Sequence, residues 1–184
     1  MKQIIFFGDS LTAGYGLKSV DTESFPARLQ QKIVANGFNY QVINAGLSGD
    51  TTSSALARLD KHLISPADIF VIALGANDML RGYSPASMAT NILEIIARVK
   101  KRYPEIKVLL LGMELPAWIT AANAAQYRQL YSSIASRENV ALLPFLLEGV
   151  AGHRSLNFPD GVHPNARGYE IIAEHVWPAL QKLL

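Results

Sequence analysis

Four short stretches of this chain are apolar almost without interruption, Gln3–Phe7, Ile69–Leu74, Val108–Met113 and Val140–Leu143, and a fifth, Tyr40–Ala45, is broken by Gln41 and Asn44. Runs of this length, rich in β-branched residues, read as strands buried on both faces. Helical patterns separate them. Ser24 caps a helix with Pro26 in its first turn, an apolar stripe of Phe25, Leu29, Ile33 and Val34, and Gly37 closing it. Thr51 or Thr52 caps a second, with Leu56, Leu59 and Leu63 on one face and Pro66 ending it. Ser84 and Pro85 open a third, with Met88, Ile92, Ile95, Ile96 and Val99 inward and Pro104 stopping it. A fourth spans about 123–136, and a fifth follows Pro164 to Leu184. Strands alternating with helices predict an α/β fold. The expected form is a five-stranded parallel sheet, flavodoxin-like in strand order, covered by helices on both faces in three layers.

No linker, repeat or low-complexity tract interrupts the pattern, and 184 residues suit one domain, 1–184. Seventeen basic residues against fifteen acidic ones leave a charge of +2, which gives no reason to expect nucleic acid as a partner. The basic cluster Lys100-Lys101-Arg102 fits the end of a helix. No apolar run is long enough to insert stably in a membrane. The chain has no cysteine, which excludes disulfides, zinc–thiolate sites and a thiol nucleophile. Met1 directly before the first strand leaves no room for a leader, so either none is made or it has been removed. The compartment stays open between cytoplasm and periplasm or exterior, and so does the oligomeric state.

Polar residues beside glycine follow the strands at unusual places. The first run empties into Gly8-Asp9-Ser10-Leu11, the second into Gly46-Leu47-Ser48-Gly49-Asp50, and the third into Gly75-Ala76-Asn77-Asp78. The last loop is Asp160-Gly161-Val162-His163-Pro164. In a parallel sheet these strand ends share one edge, where ligands bind. Ester cleavage by serine needs a hydroxyl, a base, a group to orient the base, and donors for the oxyanion. Ser10 supplies the hydroxyl. His163 is the candidate base, and Asp160, three residues earlier, folds back onto its Nδ1. The oxyanion donors are the backbone N–H groups of Ser10 and Gly49 and the side-chain amide of Asn77. No Gly-x-Ser-x-Gly elbow surrounds Ser10, so the site is expected to be open.

Other readings of the same residues exist. Ser10 and Asn77 also suit turns, Asp160 suits a helix N-cap, and Gly46 suits a turn. Asp9, Asp50 and Asp78 suit a metal-assisted phosphoesterase, although loop aspartates more often accept backbone N–H bonds. His62 and His175 read as surface or packing residues. A non-catalytic domain is disfavoured by the complete set of nucleophile, base and orienter. Apolar residues in loops at the same edge are candidate acyl-pocket residues: Met79, Leu115, Trp118, Ile119 and Phe158. Residues 114–122 are expected to tune chain length.

In order and spacing, the four blocks around Ser10, Gly49, Asn77 and His163 resemble the conserved blocks of the GDSL, or SGNH, hydrolase family. The length and the Leu115-Pro116-Ala117 loop are similar to the bacterial multifunctional thioesterase I/lysophospholipase L1/arylesterase group. The resemblance implies a three-layer α/β/α fold and no cofactor or metal. It also implies hydrolysis of a small-molecule acyl ester or thioester, with Ser10, Gly49, Asn77 and His163 in the family's roles. Within that chemistry a carbohydrate O-deacetylase is the alternative.

Overall fold

In the computed structural model, which describes residues 1–114 and 123–184, five parallel strands form one sheet. They are β1 (Lys2–Gly8), β2 (Tyr40–Gly46), β3 (Ile69–Ala73), β4 (Lys107–Leu111) and β5 (Ala141–Leu143). Their order is β2-β1-β3-β4-β5, the flavodoxin-like order expected. The calls on Leu115, Trp118, Ile119 and most of the 114–122 loop fall outside the described residues.

Burial explains the order. β1 is buried from Ile4 to Gly8 and β3 along its whole length; these runs have no polar face and need sheet neighbours and helices on both sides. β2 alternates more and lies at the edge. The chain leaves β1 in one direction toward β2 and returns on its other side as β3. The crevice at the carboxyl ends of β1 and β3 is therefore the topological switch point.

Eight helices connect and cover the strands among the described residues: α1 (Ser10–Ala13), α2 (Val20–Glu23), α3 (Phe25–Ala35), α4 (Thr52–Arg58), α5 (Ala76–Leu80), α6 (Pro85–Arg102), α7 (Ala124–Glu138) and α8 (Ala166–Gln181). α3 packs on α8, while α6 packs on both α4 and α7. Ser24 and Ser84 cap α3 and α6 with their side chains, and proline occupies the first turn of each. Met88, Ile92, Ile95, Ile96 and Val99 form the buried stripe of α6. Lys100, Lys101 and Arg102 sit in its last turn, where cations complement the helix dipole.

Several expectations need correction. Val34 is 65% exposed and lies off the α3 stripe. α4 ends at Arg58, and a 3-10 turn (Leu59–His62) replaces the longer helix expected up to Pro66. Asn165, not Asp160, is the side-chain cap of α8. The loops after β1 and β3 are largely helical, as the one-turn helices α1 and α5. Asp9 caps α1 by accepting the Leu11 N–H.

Gly46 is the last residue of β2, not a turn residue. A Cβ there would lie 2.2 Å from the backbone nitrogen of Ala13 and 2.7 Å from the carbonyl carbon of Thr12. The missing side chain lets α1 sit directly on the strand end. Gly46→Ala is expected to lower the unfolding free energy by about 1–3 kcal/mol, as overpacking against backbone does. Because α1 begins with Ser10, activity per folded molecule should fall with it. Urea titration combined with an ester-hydrolysis assay checks both, and an unchanged pair would show that α1 does not depend on this approach.

Candidate active site

Ser10 opens α1 directly beyond β1, and only 8% of it is exposed. Its Oγ lies 2.9 Å from His163 Nε2. On the other side of the ring, Nδ1 lies 2.7 Å from Asp160 Oδ2. The carboxylate accepts the Nδ1 proton, so Nε2 is left to accept the serine proton.

The loop that holds His163 is stitched to itself. The Phe158 N–H donates to the His163 carbonyl at 2.8 Å, and Asn157 and Pro164 form an antiparallel bridge. Gly161 turns the chain with φ of +70°, a conformation that glycine adopts without strain. Asp160 Oδ1 accepts the N–H groups of Val162 at 2.9 Å and His163 at 3.0 Å. Desolvation is the largest single influence and pushes this carboxyl upward, but the His163 backbone and imidazole and the Val162 N–H together outweigh it. They hold the pKa down to about 2. Asp160 therefore remains an anion wherever the protein is folded near neutrality.

Asn77 lies on α5, and its Nδ2 donates to the Asp50 carbonyl at 2.9 Å. That bond uses one of the two amide hydrogens and leaves the other for a ligand. Asn77, Ser10 and His163 line one cavity of about 390 Å³. Gly49, at φ +86°, is not among its lining residues. It adjoins Asp50, and its carbonyl accepts from Arg81 at 3.1 Å. The rest of the cavity is largely apolar, with Leu11, Met79, Leu80, Met113, Phe145, Leu147 and Val162 on its walls. Met79, one of the expected acyl-pocket residues, lines this cavity. Phe158 does not: its ring lies against Gly16, and a Cβ there would meet it at 2.8 Å.

The loop aspartates have protein partners. Asp78 accepts from Thr52 N at 2.8 Å and Thr52 Oγ1 at 2.6 Å. Asp50 accepts from Ser54 Oγ and from Arg58 Nε. No group of three or more His, Asp or Glu among the described residues is placed to hold a metal ion. Two contacts had no obvious sequence signal. The Tyr15 ring lies 4.6 Å from that of His163, centroid to centroid. His175 reaches the Phe145 carbonyl at 2.9 Å. A third, the Arg58 cluster, did have one: Asp50, Ser54, Arg58 and His62 are spaced four apart.

The family model for GDSL-like lipases and acylhydrolases matches residues 6–171. The chain belongs to that family. It is 38% identical over 183 residues to the esterase TesA of Pseudomonas aeruginosa, a match covering 98% of this chain and 89% of that one. It is 33% identical over 182 residues to the thioesterase 1/protease 1/lysophospholipase L1 of Escherichia coli K12, covering 98% and 84%. A crystal structure of TesA superposes with a TM-score of 0.93 at 36% identity, covering 100% of both chains. The family places the chain among the carboxylic ester hydrolases.

Asp9, beside the nucleophile, is fully buried. Burial is the largest influence on its carboxyl; Asp50 and Asp78 add to it and the Leu11 N–H opposes it, and the pKa rises to about 7. Its Oδ2 has no hydrogen-bond partner among the described residues, and neither has Tyr169 Oη. A folded-state pKa above the unfolded 3.8 means that the native state favours the proton. The associated stability is full below pH 4 and is lost as pH rises through about 7. A shift of that size corresponds to roughly 4 kcal/mol at most. Asp9→Asn keeps the acceptor for Leu11 and cannot ionise. Urea unfolding at stepped pH should show the variant matching the parent near pH 4 and exceeding it near pH 8. Parallel curves would assign the titration elsewhere.

Proposed function

We propose that this ester hydrolase works through an acyl-enzyme on Ser10. The observation that supports this most directly is the relay of 2.9 Å and 2.7 Å from Ser10 through His163 to Asp160. Ser10 Oγ attacks the acyl carbonyl carbon as its proton passes to His163 Nε2. The carbonyl oxygen becomes an anion, held by the N–H groups of Ser10 and Gly49 and the amide of Asn77. When the tetrahedral species collapses, the bond to the leaving group breaks and the imidazolium protonates that group. Water then attacks the acyl-enzyme, giving its proton to His163. The acid leaves, and Ser10 recovers its hydrogen. Asp160 stays ionised throughout and holds the ring in one tautomer.

The substrates we propose are small-molecule esters of short- to medium-chain acids. The apolar walls at Leu11, Met79, Met113, Phe145 and Leu147 suit an acyl chain. A carbohydrate O-deacetylase would instead want hydrogen-bonding groups there. Thioesters and lysophospholipids enter through the name of the E. coli relative. A glycerol alkoxide needs its proton from His163 in order to leave, whereas a thiolate, the weaker base, needs it less.

A fluorophosphonate should modify Ser10, as located by peptide mass mapping, and His163→Ala should abolish the adduct. Modification elsewhere, or undiminished labelling in that variant, overturns the mechanism. Asn77→Ala should lower kcat by about two to three orders of magnitude, the usual effect of removing one oxyanion donor, with little change in unfolding midpoint. A loss below tenfold removes Asn77 from this role.

A further inference from the structure

Asp50, Ser54, Arg58 and His62 recur at intervals of four: Asp50 lies just before the Thr51 cap of α4, Ser54 and Arg58 lie on one side of that helix, and His62 lies in the 3-10 turn that continues it. Their side chains are joined. Ser54 Oγ donates to Asp50 Oδ1 at 2.8 Å, and Arg58 Nε donates to Asp50 Oδ2 at 2.5 Å. Arg58 Nη1 lies 2.8 Å from His62 Nε2. Arginine can only donate, so Nε2 must be the unprotonated nitrogen of a neutral ring. Burial, then the neighbouring Arg58 and Lys61, lower the pKa of His62, which favours that neutral form; Asp50 opposes them.

The same guanidinium reaches the sheet. Arg58 Nη2 donates to the carbonyl of Gly8 at 3.1 Å and to that of Ala45 at 3.0 Å. These carbonyls belong to the ends of β1 and β2. The guanidinium also lies over the Phe7 ring, 4.3 Å from its centroid. The ion pair is largely withdrawn from water, with side-chain exposures of 14% for Arg58 and 5% for Asp50.

Each oxyanion donor is tied to this one cation by a short path. Ser10 lies two residues beyond Gly8. Gly49 precedes Asp50. Asn77 donates its amide hydrogen to the Asp50 carbonyl at 2.9 Å. We infer that Arg58 is a positioning residue that holds the three oxyanion donors in register with one another, without touching substrate itself. The inference rests on the acyl-enzyme proposed above. Lysine in its place would keep the charge, but it is a point donor without the planar fork that reaches two carbonyls, a carboxylate and an imidazole together.

The test compares the parent with Arg58→Lys and His62→Leu, using a short-chain aryl ester and a trifluoromethyl ketone. The ketone captures the serine as a hemiketal whose oxyanion sits where that of the reaction does, whereas KM reports mostly ground-state fit. Arg58→Lys should lower kcat about 30-fold, within the range that a displacement near 1 Å costs. Its KM should stay within about threefold, and the Ki of the ketone should rise in step with the fall in kcat/KM. A folded Arg58→Lys enzyme with kcat within threefold of the parent overturns the inference. So does a loss confined to KM. Should that variant fail to fold, His62→Leu decides, because it keeps the Arg58–Asp50 pair and an apolar neighbour for Phe7 while deleting the Nη1 acceptor and the edge-on imidazole contact with that ring. A kcat loss of about fivefold at constant KM, matched in the ketone Ki, supports the role; parental kinetics refute it. Fluorophosphonate labelling of Ser10 in the parent separates the two questions. Without an adduct the acyl-enzyme fails, and with an adduct but insensitive variants only the role of Arg58 fails.

Discussion

The hydrogen bond between Ser10 and His163 joins residues 153 positions apart. Closing a flexible loop of that length costs about 4–5 kcal/mol from the logarithmic dependence on length alone. One hydrogen bond returns about 1 kcal/mol net. The bond therefore cannot assemble the site; it is made because the sheet and its helices have already brought the two segments together. β1 delivers the serine on a strand buried from Ile4 to Gly8. α8 packs against α3 and carries the histidine loop at its N-terminal end. The backbone bonds from Phe158 to His163 and from Asn165 to Leu156 then leave the loop little freedom at the imidazole.

Charge is arranged with the same economy of partners. The two carboxylates that differ most from ordinary values differ in opposite directions. Asp160 is partly exposed and accepts from two backbone N–H groups and a ring nitrogen, so it is held down to about 2. Asp9 is fully buried, has one backbone donor and feels two neighbouring carboxylates, so it is driven up to about 7. Asp50 meets a guanidinium, and Asp78 meets the hydroxyl and N–H of Thr52. Four aspartates near glycines thus do four different things, set by burial and by hydrogen-bond donors rather than by sequence distance from the serine.

That distinction explains what was legible beforehand. The strands were readable because a continuous apolar run admits few other structures, and their ends predict where Ser10, Asn77 and His163 meet. Asp160 was readable because three residues and a glycine suffice to fold a carboxylate back onto an imidazole. The short helices α1 and α5 were not. Each is one turn, too short for a periodic stripe, and each depends on what lies behind it: the absent Cβ of Gly46 for α1, and the Tyr131 hydroxyl on the Leu74 carbonyl beside α5. Apolarity near a site does not give direction: the Phe158 ring packs against Gly16 and does not line the cavity. The role of Arg58 is not legible although its spacing from Asp50 and His62 is, because the two carbonyls it reaches belong to strands far away in the chain.

The exposure of the Asp160 side chain follows from the same construction. A strand–turn–helix elbow would hold its nucleophile by a strained turn within one motif. Here Ser10 begins an ordinary capped helical turn, and its partners come from a surface loop in which the Asp160 side chain remains 42% exposed. Water at the carboxylate weakens its attraction for the imidazolium compared with a dry interior. The acceptor geometry must then supply what the field does not. Two backbone N–H groups fix Oδ1, so Oδ2 has a single direction left, and that direction is Nδ1. The Tyr15 ring covers part of the imidazole and removes some of the water that would otherwise compete for its protons.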